Sequence, residues 1–392
     1  MAGVRRRGVQ GGQRQLGQLV LTPQLFAPRP DSSAPHAAAD DAAHDAAAAV
    51  VGAYAFSATL AIQDITGMAT SGVTASHIAK RLEPSAESAA YLFALTDARA
   101  PRPVTDLGYP ELFADDLEHV QAWVFVSLPL LEDLTVIEAN ITLDAAIAPL
   151  PGESIPDEPW RAALSLVDAL STQLERPTRH IWVTHAPGEF TPPAAEEFGY
   201  APAFREDQAT FPVEHISALP TPAGDIHVVE GPGFRTNRTG APGEAEQFGR
   251  LLTAASRDYP RGDLRLDTIE WDLQRITDAG ARLTDRGGVQ LTGIVRAAGE
   301  IAGLCEVVRY LSDDPKVCEL GLVYVLPEHR GRGLGAGLIR ATLEHARDVW
   351  EDLETAYCSY PAGSAAAESI MRALSAESAS ATTAWQKLEE TD

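Results

Sequence analysis

Hydrophobic and polar residues follow two alternating patterns along this chain, and the order of the patterns occurs twice. Apolar residues at every second position predict half-buried strands, and apolar residues spaced by three and four predict helices. In the first half the predicted strands are 89–96, 119–127, 134–142, 180–184 and 204–213, and the predicted helices are 46–62, 158–174 and 194–198. In the second half the predicted strands are 226–230, 289–297, 301–310, 319–325 and 355–360, and the predicted helices are 244–257, 268–282, 334–350 and 364–374. A short run to residue 388 ends the second series.

This repeated order divides the chain into two domains. A length of 392 residues is large for one hydrophobic core and suits two. Because prolines punctuate the middle of the chain, we predict a first domain at 41–213, a linker at 214–224 and a second domain at 225–392. Residues 1–40 are rich in Arg, Gln, Gly and Pro, which bury little apolar surface, so we expect little order there.

The stretch from residue 322 to residue 339 is the most distinctive part of the chain. A β-branched and aromatic run ends at Pro327, a glycine-rich loop follows, and a helix then begins near Leu334. The loop contains three glycines and two arginines: Gly331, Gly333, Gly335, Arg330 and Arg332. Glycines can take positive φ, so successive N–H groups can face one point, where the helix dipole and the arginines add positive charge. Such a concavity suits a pyrophosphate.

The spacing Val325-x-Pro327-x-x-Arg330-Gly-x-Gly333-x-Gly335 differs from the dinucleotide and P-loop patterns. It resembles the acyl-CoA motif of the GNAT superfamily of N-acetyltransferases. The resemblance implies that loop amides hold the CoA pyrophosphate while the preceding strand bonds the pantetheine arm. It places the cofactor contacts at Val323, Tyr324, Val325, Arg330, Gly331, Arg332, Gly333, Leu334, Gly335 and Ala336.

The order of elements in both halves is also similar to a GNAT domain. The resemblance implies an α+β (α/β) fold of two tandem GNAT-like domains, each with a mixed, mostly antiparallel central sheet flanked by helices. Proteins of this two-domain type are known from bacteria. In the first half, however, residues 150–159 hold prolines and three acidic side chains where the loop would lie. Acidic groups repel a pyrophosphate and prolines lack N–H donors, so we expect a degenerate half that serves as a scaffold or keeps an acceptor or regulatory pocket.

Acyl transfer to an amine needs a polarised thioester carbonyl, a base and a proton for the leaving thiolate. The family resemblance implies that a backbone N–H within 322–325 polarises the carbonyl, and a bulge or splay there would free that donor. Glu319 and Glu306 are the candidate bases, although either carboxylate is also explained as a solvated strand-end group.

The candidate acid is Tyr360, since alternation along the strand places Tyr357 on the opposite face. Many family members carry a tyrosine in a Tyr-x-x-x-Gly-Phe pattern. Here Met371 lies near the tyrosine position, and Ser375 and Ala376 replace the last two residues.

A formal charge of −24 disfavours nucleic acid and anionic membranes as partners and favours a cationic amine acceptor. The three cysteines show neither disulfide-framework nor zinc spacing, which indicates a reducing cytoplasm and no metal. The apolar run at 46–62 is alanine-rich and predicts a packed helix rather than a membrane span.

Two functions remain open. The first is an acetyl-CoA-dependent N-acetyltransferase that acts on a small-molecule amine by direct attack. The second is a CoA-binding sensor or partner-binding module whose catalytic activity has decayed. The intact loop favours the first, and the altered C-terminal helix favours the second. The oligomeric state is not indicated by the sequence.

Overall fold

The computed structural model describes residues 20–27, 37–68, 72–150, 153–221, 224–232, 243–311 and 313–389, with side chains from residue 45 in the second of these ranges. The strands in these residues are β1 (Thr22–Leu25), β2 (Ser88–Thr96), β3 (Val120–Pro129), β4 (Val136–Leu143), β5 (Thr178–His185), β6 (Ala201–Pro212), β7 (Ile226–Glu230), β8 (Gly288–Ala297), β9 (Glu300–Tyr310), β10 (Val317–Val325), β11 (Thr355–Pro361) and β12 (Glu377–Leu388).

The helices in the same residues are α1 (Ala37–Thr66), α2 (Ala75–Leu82), α3 (Asp157–Gln173), α4 (Glu244–Asp258), α5 (Leu273–Asp285), α6 (Leu334–Val349) and α7 (Ala365–Ala373). Short 3-10 turns occupy Ala114–His119, Val213–Ala218 and Pro327–His329. The alternating runs of the sequence therefore form strands, and most of the predicted boundaries are within a few residues of those in the structure.

The strands form one continuous sheet in the order β1-β2-β3-β4-β5-β12-β6-β11-β10-β9-β8-β7. Neighbours are antiparallel except for the parallel pairs β4–β5 and β10–β11. The two halves exchange their last strands, because β12 pairs with β5 of the first half and β6 pairs with β11 of the second. The exchanged strands β6 and β12 also pair with each other at the centre of the sheet. The two halves thus share one sheet.

Helices cover both faces of this sheet. On one face, α6 packs on Cys305 and Val307, and in the first half α3 packs on Phe93 and Val124. On the other face, α4 packs on Leu304. Helices α1, α2, α4 and α5 lie on this second face, which we call the cavity face because it carries the two cavities described below.

Helix α1 packs on the cavity face through a stripe of apolar residues. Val50, Tyr54 and Ala58 are buried against Trp123 and Phe125. Part of this helix, from residue 45 to residue 66, is also long and apolar enough to cross a membrane by length and composition. In the structure its apolar stripe is occupied by contacts with the sheet, as expected of a packed helix.

Four local predictions differ from the structure. Residues 20–27 are ordered, because β1 pairs with β2 and buries Leu25 and Phe26; the rest of 1–36 lies outside the described residues. Helix α5 begins at Leu273 rather than at residue 268, since the Asp272 carboxylate caps it by accepting from the N–H of Arg275. Residues 194–198 form turns rather than a helix. The predicted short final run is a strand of 12 residues.

Candidate acyl-CoA site and acceptor cavities

Strand β10 contains a bulge on its β9 side. Glu319 lies opposite Val308 and Leu320 opposite Val307, but the next pair joins Val323 to Cys305. The two residues between these pairs, Gly321 and Leu322, therefore both lie opposite Glu306. A bulge leaves backbone groups outside the ladder, so it can present an N–H to a ligand. The bulge begins one residue before the range expected from the sequence.

Strands β10 and β11 separate where this bulge begins. Their parallel pairing joins Val317–Leu320 to Thr355–Cys358 and extends no further among the described residues. Beyond it β11 continues along β6 as far as Pro361, while β10 continues along β9. A gap therefore opens beside 323–325. Backbone groups of β10 that face this gap can form hydrogen bonds with an extended ligand such as a pantetheine arm.

The glycine-rich loop lies at the open end of the gap and leads into α6. Gly331 and Gly333 have φ of 75° and 74°, a region that favours glycine. Gly333 is the N-cap residue and provides no side-chain cap, so the first-turn N–H groups of Leu334, Gly335 and Ala336 remain available to an anion. Gly335 itself lies within the helix and does not have a positive φ, contrary to prediction.

The two loop arginines have different surroundings. The Arg330 guanidinium donates to the carbonyl of Val325 at 2.8 Å, lies 5.3 Å from the Tyr324 ring centroid and is 3.5 Å from Asp258. Arg332 is exposed and makes one long bond, 3.4 Å, to a loop carbonyl. Arg330 therefore ties the loop to β10 and α4, and Arg332 is better placed to add charge for a phosphate.

Tyr324 uses its side chain to support the strand. It is buried, and its hydroxyl donates to Oδ2 of Asp258 at 2.6 Å. Burial, followed by this hydrogen bond, raises the pKa of Tyr324 to about 12. Its side chain is thus part of the core, and only its backbone can contact a ligand in the gap.

Two cavities lie along the cavity face, one lined by Leu322 of the bulge and the other by Glu319, which lies two residues before the bulge. The apolar cavity, about 470 Å³, lies between α4, α5, their connecting loop and the sheet. The polar cavity, about 640 Å³, lies between α1, α2 and the lower parts of β9, β10 and β11. Leu322 and Glu306 line the first, and Glu319 and Tyr357 line the second. The bulge thus has a cavity on either side.

Glu306 is the carboxylate nearest to the bulge. A Cβ atom placed on Gly321 would lie 3.8 Å from Cβ of Glu306. Burial raises the pKa of Glu306 to about 7, and the charge of Glu319 adds to this effect. The side-chain amide of Gln290 donates to Oε1 of Glu306 at 3.0 Å and acts in the opposite direction. Glu306 can therefore both hold and release a proton near neutral pH.

Glu319 and Tyr357 are direct neighbours on adjacent strands and line the polar cavity. Burial raises the pKa of Glu319. Burial also raises the pKa of Tyr357, and the charge of Glu319 contributes. The structure does not bring Tyr360 to these groups, because its side chain packs on the opposite face of the sheet near Met371. Tyr357 therefore lies on the face of the two glutamates, as do Tyr310 and Tyr259, whereas Tyr360 lies on the other face.

Comparison with known families agrees with this geometry. Residues 250–365 match the model of the acetyltransferase (GNAT) family. The C-terminal half is therefore similar to a GNAT domain over these residues. Among curated protein sequences, none matches this chain.

Solved structures show the same two-domain fold over nearly the whole chain. A tandem GNAT protein from the clavulanic acid biosynthesis pathway superimposes with a TM-score of 0.60 at 16% identity, covering 95% of this chain and 100% of its own. A GCN5-related N-acetyltransferase from Sphaerobacter thermophilus gives a TM-score of 0.53 at 13% identity, covering 95% of this chain and 97% of its own. The protein therefore has the tandem GNAT architecture.

The first GNAT-like half differs from the second at the equivalent place, as far as its described residues show. Strand β4 pairs with β3 in an unbroken register. Between β4 and β5, the side-chain amide of Asn140 donates to the carbonyl of Trp182 at 3.2 Å, and these two residues also form the last pair of the parallel ladder. Helix α3 begins with Asp157 and Glu158 after Pro156. These acidic groups would repel a pyrophosphate.

The loop from residue 259 to residue 272 closes the apolar cavity and is attached to the first half. The Asp263 N–H donates to the carbonyl of Ala203 at 2.8 Å. Asp133 and Asp267 each accept the backbone N–H of the other, at 2.5 and 3.1 Å. Gly262 has a φ of 56°, and a Cβ there would lie 2.2 Å from the Ala203 carbonyl oxygen. The rim of the cavity thus depends on contacts between the two halves that the sequence did not indicate.

Across the part of the chain that the structure describes, no group of three or more His, Cys, Asp or Glu side chains could hold a metal ion. Cys305, Cys318 and Cys358 are all buried as free thiols.

Proposed function

We propose that the protein is an acetyl-CoA-dependent N-acetyltransferase that transfers an acetyl group to the amine of a small molecule at a single site in its C-terminal half. The observation that carries this proposal is the bulge at Gly321 and Leu322. It lies between the gap beside β10 and the carboxylate of Glu306. Backbone donor, binding groove and base are thus together at one point.

Several groups would hold the donor. The first-turn N–H groups of α6 and the side chain of Arg332 would bind the pyrophosphate, and the edge of β10 at 323–325 would bond the pantetheine arm. Bound acetyl-CoA supplies an activated acyl group and a thiol leaving group. A backbone N–H at Gly321 or Leu322 would then donate to the carbonyl oxygen as negative charge develops on it.

Proton transfer is assigned to the glutamates and to Tyr357. Glu306, with a pKa near neutrality, accepts a proton from the incoming ammonium. Glu319 lies on the same face and can pass that proton to water in the polar cavity. Tyr357 lies on this face opposite Glu319 and is our candidate donor to the departing thiolate. Because Tyr360 lies on the other face of the sheet, we assign the role of acid to Tyr357 instead of Tyr360.

A second function keeps some support. Helix α7 carries Met371, buried against Cys358, where many GNAT proteins carry a tyrosine. A CoA-binding sensor with decayed activity would show this change. The site at the bulge favours the enzyme, because a sensor needs no carboxylate with a pKa near 7 beside the thioester position.

The remaining assignments follow from charge and composition. We propose a small amine as the partner of the site, with neither nucleic acid nor membrane as the main partner, because the net charge of −24 repels both. A cytoplasmic location is supported by the three reduced, buried cysteines.

The test is calorimetric titration with CoA, together with thiol release from acetyl-CoA in the presence of mixed amines. We expect one CoA per chain and amine-dependent release. Gly333→Val should abolish binding by straining the loop, whereas Gly108→Val, at a turn with a similar φ of 81° in the first half, should bind normally. Two equivalent CoA sites, or normal binding by Gly333→Val, would contradict the assignment, and binding without any release would favour the sensor.

A further inference from the structure

The size and lining of the apolar cavity indicate which kind of acceptor could bind there. Its volume of about 470 Å³ is in the range of small-molecule sites. Its aromatic walls come from both halves of the chain: Trp182, Phe204, Phe248, Tyr259 and Trp271. Aliphatic side chains, among them Leu252 and Ile276, form half of the remaining wall. The apolar body of a ligand would leave water for contact with these walls, which favours its binding.

The charges at this cavity are mostly negative. The four carboxylates are Asp133, Glu206, Asp267 and Glu306, and Arg261 is the only cation among the described lining residues. The Arg261 guanidinium is bound to backbone carbonyls, at 2.6 Å for Leu266 and 3.0 Å for Asp267, and also to Ser256. It therefore offers little to a ligand anion, and the cavity favours a cation.

Two of the carboxylates are suited to bind that cation. These are not Asp133 and Asp267, because each of those accepts the other's backbone N–H at the rim of the cavity. Glu206 accepts a hydrogen bond from the Tyr259 hydroxyl through Oε1, and Glu306 accepts one from Gln290 through Oε1. Each of the two has a second oxygen to which none of the described residues donates a hydrogen bond.

We propose that the acceptor is a primary amine with an apolar body, aromatic or branched aliphatic, that binds with its ammonium at Glu206 and Glu306 and its body against the aromatic walls. Aromatic faces also attract the ammonium. This inference rests on the proposed acetyl transfer. One ammonium proton passes through Glu306 to water, the nitrogen bonds to the acyl carbon as the C–S bond breaks, and the second proton ends on the thiolate. Amide, CoA thiol and one released proton balance the reaction.

The first experiment compares acceptors. Rates of thiol release from acetyl-CoA are measured with phenethylamine and isoamylamine, and with the polar amines ethanolamine and spermidine. We expect kcat/KM to be at least tenfold higher for the apolar pair. A preference for the polar pair, with CoA binding intact, would overturn the inference and leave the proposed function standing. If the wild-type protein does not bind CoA, the proposed function itself is refuted.

Matched variants of α5 test the cavity directly. Ala279 lines the cavity, and Ala281 on the same helix is exposed. Ala279→Phe should fill the space and raise KM for phenethylamine at least tenfold without changing KM for acetyl-CoA, while Ala281→Phe should change neither. Glu206→Gln should raise KM for phenethylamine by about tenfold to a hundredfold, the usual effect of losing a charge-assisted contact. Equal KM values in Ala279→Phe and Ala281→Phe would overturn the inference.

A further comparison separates the acceptor from the acyl chain. If hexanoyl-CoA is used better than acetyl-CoA, and Ala279→Phe removes that preference, then the cavity holds the acyl group and the inference is wrong.

If no amine in the panel is acetylated, binding of phenethylamine to the CoA-loaded protein is measured by calorimetry. Binding that Ala279→Phe weakens and Ala281→Phe does not would support the inference, and no binding would overturn it.

Discussion

Replacing Glu306 with glutamine removes the carboxylate beside the bulge and keeps the shape of the side chain. In the wild-type protein this carboxyl has its pKa raised from 4.5 to about 7, mainly by burial. A base works only when it is ionised, so kcat/KM with an amine should rise with pH and bend near pH 7. In Glu306→Gln we expect that bend to disappear and the rate at pH 7 to fall by about 10²–10⁴-fold, the usual range for general base catalysis.

The raised pKa of Glu306 also predicts that the stability of the fold decreases as the pH rises. The folded state holds the proton of Glu306 more tightly than the unfolded state does. Protonated Glu306 therefore makes its full contribution to stability below pH 4.5, and this contribution is lost as the pH rises through about 7. A shift of this size corresponds to about 3 kcal/mol. The wild-type free energy of unfolding should therefore fall by up to that amount across this range relative to Glu306→Gln.

The assays are stopped-flow thiol release and urea unfolding, each between pH 4.5 and pH 8.5, on both proteins. Glu319→Gln is the matched control, since it also removes a carboxylate from the same face but lies in the polar cavity. We expect a smaller rate loss for it. A Glu306→Gln enzyme that keeps the bend near pH 7 would refute the assignment of the base, and unchanged pH dependence of unfolding would refute the raised pKa.

Three further predictions follow from the geometry. Tyr357→Phe should lower kcat with CoA affinity preserved, whereas Tyr360→Phe should have little effect, and the reverse result in steady-state kinetics would restore Tyr360 as the acid. Gly262→Ala should raise KM for the amine, because its Cβ would displace the loop from the Ala203 carbonyl; normal kinetics and an unchanged melting temperature would contradict this contact. Calorimetric unfolding should show one transition, since the exchanged strands couple the halves, and two well-separated transitions would contradict that coupling.

The parts of the site that the sequence predicted are local in the chain. Strand β10, the loop and α6 follow one another directly, so periodicity and glycine spacing were enough to place them. Glu306 and Glu319 could be proposed because each lies on a strand next to this segment. The choice between Tyr357 and Tyr360 could not be made from the sequence, because alternation shows that two residues lie on opposite faces but does not show which face carries the cavities.

The parts that were not predicted are brought together over long distances. Glu206 and Trp182 reach the apolar cavity only because β6 and β12 cross between the halves, and no local pattern specifies such a pairing. The carboxylate of Glu206 could have been noticed as a charge in a strand, but its partner Tyr259 is 53 residues away. Strand exchange, rather than secondary structure, decides which side chains share the site.

The exchange of the last strands also affects how the chain is made. Thr184 on β5 bonds Thr382 on β12, a partner 198 residues later in the chain. During synthesis the edge of β5 that faces β12 therefore stays unpaired, and can pair with other strands, until nearly the whole second half has been produced. We expect the nascent chain to need protection by a chaperone at this edge, and we expect the centre of the sheet to form only after β12 has been made.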